Sequence, residues 1–150
     1  MAFLHSLDIT GSALTAERYR TDIILQNIAN ARTTRTPGGG GPYRRKQVVF
    51  EERALTFEQH FRHACVLNKR ANKNHGGVEV QQMVDSVNAL KPVYDPDHPD
   101  ADADGYVWYP NVDTTEEMTD LMGATNAYEA NLTALNVVKA MINKSLDMGR

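Results

Sequence analysis

The sequence has a single cysteine, Cys65, among its 150 residues. One cysteine excludes an intrachain disulfide and any metal cluster built on a Cys-x-x-Cys pair, so we interpret Cys65 as a small apolar filler. No run of apolar residues is long enough to span a bilayer, which predicts no membrane insertion. The N-terminus has no basic segment and reaches an acidic residue early, at Asp8, so we expect no cleaved signal peptide.

The sequence also lacks the patterns that carry enzyme chemistry. No Gly-Lys-Ser/Thr follows the four glycines at 38–41, so they do not form a phosphate-binding loop. No nucleophile lies in a glycine elbow, and His60, His63 and His75 have neither the helical nor the finger spacing of metal ligands. We therefore predict a protein without enzymatic activity, and with no cofactor and no metal.

Charge is divided unevenly along the chain. The formal net charge is −3, but residues 32–73 contain ten Lys or Arg and three Glu, or +7, so the rest of the chain carries −10. A nucleic-acid binder is one hypothesis for the basic segment, and it requires a steep salt dependence of DNA affinity. The positive residues are scattered with few aromatics between them. A surface complementary to an acidic neighbour explains the division at least as well, so we predict no nucleic-acid partner.

Proline and glycine divide the chain into three regions. All six prolines lie in the middle region, 33–111, where the Gly/Pro-rich stretch 36–42 predicts a flexible break. We expect this region to form a small β-rich domain. Four of its short segments favour β-strands: Gln47–Phe50, Gly77–Val80, Pro92–Tyr94 and Tyr106–Tyr109.

The terminal regions, 1–32 and 112–150, favour long helices. The first has no proline, has apolar residues at helical spacing, and is expected to stop near Asn30. Asp113 and Glu116 form a capping-box pattern at the start of the second. The apolar positions of that helix then alternate in spacings of three and four residues, a period of 3.5. The predicted fold class is α+β, with the two helices pairing as a coiled-coil-like layer.

Each predicted helix has an apolar stripe too narrow to stabilise it alone. Ordering one residue costs about 1–2 kcal/mol, whereas burying a Leu or Ile returns about 1.5–3 kcal/mol, and only a minority of residues lie in the stripe. We therefore expect the ends to become ordered on assembly with other subunits. The predicted subunit-interface residues are Leu7, Leu14, Ile24, Asn27, Ile28, Asn30, Met118, Leu121, Tyr128, Asn131, Leu132, Leu135, Ile142 and Leu146. For the three asparagines, capping and local turns are an equally good interpretation.

An acidic loop suggests a second function, that of a calcium-binding adaptor. Asp100–Gly105 has aspartates at positions 1, 3 and 5 and glycine at position 6 of an EF-hand-like loop. Position 12 is Asn111, however, instead of the bidentate Glu that completes such a site. Pro99 and Pro110 also stand where flanking helices are needed. A solvated turn is therefore the favoured interpretation.

Four motifs resemble the family of flagellar rod, hook and related axial proteins. Asn27–Ala31 reads NIANA at the end of the first helix, and Ala127–Asn131 followed by Leu132–Asn136 resembles the family's second signature. Two middle motifs narrow the resemblance to the basal-body rod proteins of this family. They are Gly41–Lys46 with Val48–Glu52, and Tyr94–Asp102 with Gly105–Val112.

The resemblance implies a structural subunit of the proximal rod, the part of the basal body that crosses the periplasm and transmits motor torque to the hook. The implied partners are other copies of the chain, other flagellar rod proteins and the flagellar type III export apparatus. Export by that route fits the expected absence of a cleaved signal peptide. Residues 59–76, rich in basic residues and histidine, depart from the family pattern, so we expect an insertion there.

Overall fold

The structure, a computed structural model, describes residues 2–37, 41–54, 57, 61 and 76–149. Two long helices enclose four strands in chain order, which confirms the predicted α+β class. The elements are α1 (Ala2–Ala29), β1 (Lys46–Glu52), β2 (Val78–Asp85), β3 (Lys91–Tyr94), β4 (Tyr106–Tyr109) and α2 (Thr114–Met148). All four predicted strands are confirmed, and β1 and β2 extend beyond their predicted bounds. Of the proposed insertion, 59–76, residues 59–60 and 62–75 lie outside the described residues, and these include Cys65 and the three histidines considered as metal ligands.

The two helices pack against each other in antiparallel directions. Asn27, in the last turn of α1, donates a hydrogen bond to Glu117, in the first turn of α2. The end of one helix therefore lies beside the start of the other, and two helices that then pack along their length must run antiparallel. α1 ends at Ala29, and Asn30 begins the turn that follows, as its sequence predicted.

Asp113 caps α2, as predicted by the capping-box pattern. Its carboxylate accepts a hydrogen bond from the backbone N–H of Thr115 at 2.9 Å, and that bond lowers the pKa of Asp113. Glu116 forms an ion pair with Arg45, with Nη1 and Oε1 3.1 Å apart, in place of the reciprocal bond expected of a capping box. The N-cap half of the prediction is confirmed.

The described strands form two separate two-stranded antiparallel sheets. β1 pairs with β2, with a register shift between Val49 and Phe50, and β3 pairs with β4. The β1–β2 pair packs against α1. Because an isolated two-stranded sheet is marginally stable in water, this contact with the helix supports the strands.

Gly77 allows the β1–β2 pair to approach α1 closely. Its φ is +98°, and a Cβ at this position would lie 2.3 Å from the hydroxyl oxygen of Ser12. That hydroxyl accepts a hydrogen bond from the backbone N–H of Val78 at 3.1 Å and donates one to the carbonyl of Ile9 at 2.8 Å. Ser12 thus fastens β2 to the helix at a point where a side chain has no room.

We expect Gly77→Ala to destabilise the chain by more than about 1 kcal/mol, because alanine is strained at positive φ and its Cβ collides with Ser12. The matched control is Gly123→Ala in α2, where nothing lies within 4 Å of an added Cβ. Removing a glycine from a helix interior stabilises by about 0.5–1 kcal/mol. Urea unfolding measures both changes. Two variants of equal stability would contradict the close approach of β2 to α1.

The inward face of α2 differs by one residue from the seam that the period of 3.5 predicts. That seam consists of Met118, Leu121, Thr125, Tyr128, Leu132, Leu135, Lys139, Ile142 and Leu146. Leu121, Leu135 and Ile142 are partly buried, as the seam requires. At five other seam positions, the residue before the predicted one faces inward and the predicted one is exposed. The inward residues are Glu117, Ala124, Ala127, Asn131 and Val138, and the exposed ones are Met118, Thr125, Tyr128, Leu132 and Lys139.

This difference has a physical reason in the first turn of α2. Glu117 must face inward because it bonds to Asn27 and Arg45. One residue along a helix is a rotation of about 100°, so Met118 is turned outward. Ala124, 0% exposed, then meets α1 where a larger side chain would hold the helices apart.

Candidate subunit interface and the junction beneath it

A buried polar cluster joins α1, the segment before β1 and α2. It consists of Asn27, Tyr43, Arg45 and Glu117, which are 1%, 6%, 7% and 1% exposed; we call it the junction. The four residues are separated by as many as 90 positions in the chain. The junction therefore forms only when the two ends of the chain come together.

The side chain of Asn27 makes every hydrogen bond available to an amide. Its Nδ2 donates to the carbonyl of Lys46 at 2.9 Å and to Oε2 of Glu117 at 3.0 Å. Its Oδ1 accepts from the hydroxyl of Tyr43 at 2.8 Å and from the backbone N–H of Lys46 at 3.0 Å. An amide has two donors and two acceptor lone pairs, so all four are used.

Arg45 provides the positive charge of the junction. Its Nε donates to Oε1 of Glu117, while Nη1 and Nη2 pair with Glu116 and Asp120 at 3.1 and 3.0 Å. Burial by itself lowers the pKa of Arg45, but the hydrogen bond and charge of Glu117 outweigh it and raise the pKa. Arg45 thus stays charged. Glu116 and Glu117 also lie in the first turn of α2, where the helix dipole favours negative charge.

Sequence reasoning identified Asn27 but missed Arg45 and Glu117. Arg45 lies within the family-like motif Gly41–Lys46, and Glu117 directly follows Glu116 of the capping-box pattern. Neither pattern indicated that the two side chains would bond to each other. Their side chains bond across 72 positions of the chain. The only local hint was a glutamate at a position one residue from the apolar seam, which is usually a solvated site.

Tyr43 makes the junction sensitive to alkali. Burial, followed by the nearby charges of Asp85 and Glu117, raises the pKa of Tyr43 above its ordinary value of 10.0. A raised pKa favours the neutral phenol in the folded chain. Its contribution to stability is therefore complete below pH 10.0 and is lost as the pH rises through the folded-state pKa.

We expect Tyr43→Phe to cost about 0.5–1.5 kcal/mol at neutral pH, the value of one hydrogen bond. The difference from the unchanged chain should narrow above about pH 10, because phenylalanine has no proton to lose. Urea unfolding between pH 7 and 11 measures this. Tyr94→Phe, at a side chain 65% exposed, is the control for removing a phenol hydroxyl and should cost less stability at neutral pH. A Tyr43→Phe difference that does not change with pH would contradict the assignment.

The predicted interface residues of α2 fall into two groups. Leu121, Asn131, Leu135 and Ile142 face inward or are partly buried, and Asn131 Nδ2 donates to the carbonyl of Ala127 at 2.9 Å within the helix. The other residues remain accessible. Met118, Tyr128, Leu132 and Leu146 are 55%, 36%, 41% and 68% exposed.

The predicted interface residues of α1 are mostly covered. Ile24 is 6% exposed and Asn27 is in the junction, while Leu7, Leu14 and Ile28 are partly buried. Asn30 bonds locally: its Nδ2 donates to the carbonyl of Gln26 at 2.9 Å, and its Oδ1 accepts from the hydroxyl of Thr33 at 3.1 Å. Local turn chemistry thus accounts for the amides of Asn30 and Asn131, whereas Asn27 bridges elements within the chain.

The aspartates of the acidic loop bond to other parts of the chain. Asp100 accepts hydrogen bonds from Thr34, at 2.8 Å, and from Arg35. The bond from Thr34 and then the charge of Arg35 lower the pKa of Asp100. Asp102 accepts a bond from the indole N–H of Trp108. Among the described residues, no group of three or more His, Cys, Asp or Glu is placed to hold a metal ion.

Comparison with known proteins places this chain among flagellar proteins. A family model described as "Flagellar basal body rod FlgEFG protein C-terminal" matches residues 103–148, which include β4 and α2. Over the full length of both chains, the sequence is 42% identical to the flagellar basal-body rod protein FlgC of Bacillus subtilis (strain 168). It is 41% identical to FlgC of Escherichia coli O6:H1 and 40% identical to that of Salmonella typhimurium LT2, again with 100% of both chains covered. The chain belongs to the FlgC family.

Membership of the FlgC family confirms the resemblance found in the sequence motifs. The chain is a structural protein of the flagellar basal-body rod and not an enzyme. It is localised in the basal body and assembles with other components of the rod. The relatives give no support to a calcium-binding adaptor. Within the part of the chain that the structure describes, neither helix of this FlgC-family protein combines the length and apolarity of a membrane span.

Proposed function

We propose that this FlgC-family chain polymerises in the proximal rod through the exposed faces of its terminal helices, and so transmits motor torque to the hook. The observation that carries the proposal is a row of apolar side chains that remains exposed on α2 after its inward face has packed. We call it the outer row. Its members are Met118, Met122, Leu132 and Leu146, which are 55%, 68%, 41% and 68% exposed.

The outer row has the character of an interaction surface. Four large apolar side chains on one helix are 41–68% exposed, and exposed apolar side chains concentrated on one surface mark interaction sites. Burying each one against a neighbour returns up to about 1.5–3 kcal/mol. The rotation of α2 therefore gives the helix two uses: one face closes the chain, and the other is left for a second subunit.

The end of α2 extends beyond α1 and supports the same proposal. From the contact between Asn27 and Glu117, 25 residues of α1 lead back to Ala2, whereas 31 residues of α2 lead on to Met148. In antiparallel helices this leaves about six residues of α2, or about 9 Å, past the start of α1. Leu146 and Met148, 68% and 81% exposed, lie in that extension.

The proposed interface keeps most of the residues that the sequence selected. Ile24 and Asn27 are left out because they are buried within the chain. Met118, Tyr128, Leu132 and Leu146 lie on the exposed side of α2 and form its centre. The other selected residues are partly buried within the chain, and we propose that they contribute only the part that stays accessible: Leu7, Leu14, Ile28, Asn30, Leu121, Asn131, Leu135 and Ile142. Surfaces that join head to tail, instead of pairing with themselves, produce an open helical assembly.

The remaining proposals follow from the sequence and the family. We propose that the chain leaves the cytoplasm through the flagellar type III export apparatus, and that its partners are further copies and other rod proteins. We also propose a division into 1–32, 33–111 and 112–150, in which the middle region projects from the paired helices.

The proposal is tested by placing a charge in the outer row. Cells that depend on this chain for their rod should fail to assemble one when the chain carries Leu132→Asp, as scored by isolating basal bodies. Assembly of a normal rod by that variant would contradict polymerisation through the helices.

A further inference from the structure

The β3–β4 pair has an aromatic face that no described element covers. Tyr106 and Trp108 alternate along β4 and so lie on the same face, opposite Tyr94 and Pro92 of β3. Tyr94, Tyr106 and Trp108 are 65%, 43% and 42% exposed, whereas Val107, on the other face, is 0% exposed. The rings of Tyr94 and Tyr106 meet edge to face with their centroids 5.4 Å apart. The aromatic face is therefore ordered before anything binds to it.

Negative charge borders the aromatic face. The loop between the strands, 95–105, contains five aspartates and no Lys or Arg. One of them, Asp100, pairs with Arg35. Asp95, Asp97 and Asp104 form no ion pair with any described residue. The face therefore combines exposed rings with carboxylates that have no cationic partner within the described chain.

Two arginines in another part of the chain carry exposed positive charge that complements the aspartates beside the aromatic face. The backbone N–H of Tyr43 donates to the carbonyl of Thr33 at 3.1 Å, which places Arg32 and Arg44 on adjacent stretches of chain. Both residues are exposed, and neither forms an ion pair with a described residue. They belong to the segment 32–73, with its charge of +7.

We propose that the aromatic face of the β3–β4 pair docks Arg32 and Arg44 of a second copy of this chain. A guanidinium group stacks on an aromatic ring while its N–H groups bond to carboxylates, so a ring bordered by aspartates suits arginine in both respects. Each chain carries both halves of the contact, and neither half has an ion-pair partner among the described residues, apart from Asp100 with Arg35. The contact rests on the proposed assembly of copies in a rod and adds a second point of attachment away from the helices.

Reversing the sign of the charge on each of the two surfaces by substitution tests the contact. One variant of the full chain carries Asp97→Lys and Asp104→Lys, and another carries Arg32→Glu and Arg44→Glu. Both sets of side chains are exposed, so folding should be unaffected, and circular dichroism of each variant checks this. Each variant alone should self-associate at least about tenfold more weakly than the parent chain in sedimentation velocity. An equimolar mixture of the two should recover the parent's association.

Trp108 provides a second measurement because it is the only tryptophan of the chain. Its emission should shift as the concentration of the parent rises. The shift should be larger at about 0.01 M salt than at about 1 M salt, where the Debye length falls from about 30 Å to about 3 Å. No shift up to about millimolar chain, which corresponds to only about 4 kcal/mol of binding, would overturn the proposal. So would a mixture of variants that fails to recover association.

The same experiments in a Leu132→Asp background separate this contact from the helical one. That variant should keep the emission shift of Trp108 while it fails to build a rod. If the charge reversals change nothing and Leu132→Asp still prevents rod assembly, the arginine contact is wrong and polymerisation through the helices stands. If Leu132→Asp builds a normal rod, polymerisation through the helices is wrong, and the mixing experiment still decides the arginine contact.

Discussion

Replacing Glu117 with alanine is expected to destabilise the folded chain by about 3–5 kcal/mol, the cost of removing one partner of a buried ion pair. Glu117 is 1% exposed, and Arg45, 7% exposed, would lose the carboxylate that its Nε contacts. Asn27 would lose one of its two acceptors. Arg45 would keep its pairs with Glu116 and Asp120, so the loss arises from the buried Nε of Arg45 and the amide of Asn27, and it should lie toward the lower end of that range.

The neighbouring residue provides a matched control for this prediction. Glu116 also pairs with Arg45, but its side chain is 60% exposed, and Glu116→Ala should change the free energy of unfolding by at most about 1 kcal/mol. The double variant Arg45→Met/Glu117→Leu should recover most of the loss, because apolar groups of similar volume often replace a buried pair at little cost. Urea unfolding followed by circular dichroism measures all three. Equal effects of Glu116→Ala and Glu117→Ala would show that the junction does not hold the helices together.

Leu132→Asp is expected to abolish rod assembly while leaving the chain folded. Leu132 is 41% exposed, so the added charge stays in water in the free chain and should cost little stability. In an assembled rod the same carboxylate would be buried against a neighbour without a partner, which costs several kcal/mol at each contact. A polymer repeats this cost at every subunit. Motility and the yield of isolated basal bodies measure assembly, and thermal unfolding of the purified chain measures stability.

Two further substitutions on α2 separate assembly from folding. Thr119→Asp adds the same charge at an exposed polar position of the same helix and should leave both rod and stability unchanged. Ala124→Asp places it on the inward face, at a residue 0% exposed, and should unfold the chain before assembly is reached. Normal motility of cells carrying Leu132→Asp, or loss of folding in that variant, would contradict the proposed use of the outer row.

Local patterns were sufficient to predict the elements of the fold. Periodic apolar residues without proline gave both helices, Asn30 marked the end of α1, and Asp113 marked the start of α2. Short alternating segments between turn residues gave all four strands. Each of these signals acts between residues a few positions apart along the chain. That is why they could be predicted from the sequence without any knowledge of the partner elements.

Distant contacts decided what the local patterns could not. The period of the α2 stripe was correct, but apolar residues lie on both sides of the inward row, so the pattern did not fix the rotation of the helix. A glutamate, usually a solvated residue, fixed it: Glu117 is drawn inward by Arg45 and Asn27, which lie 72 and 90 positions away. As a result, Met118 and Leu132 are exposed.

The sequence by itself thus determined the fold class, the end of α1, the start of α2, the positions of the four strands and, through its motifs, the family. Only the tertiary structure decided which side of each helix is used inside the chain and which is left for a neighbour. The physical reason is the range of the interactions. Apolar periodicity and capping are properties of adjacent turns, whereas the buried amide and ion pair of the junction exist only after the two ends of the chain have met.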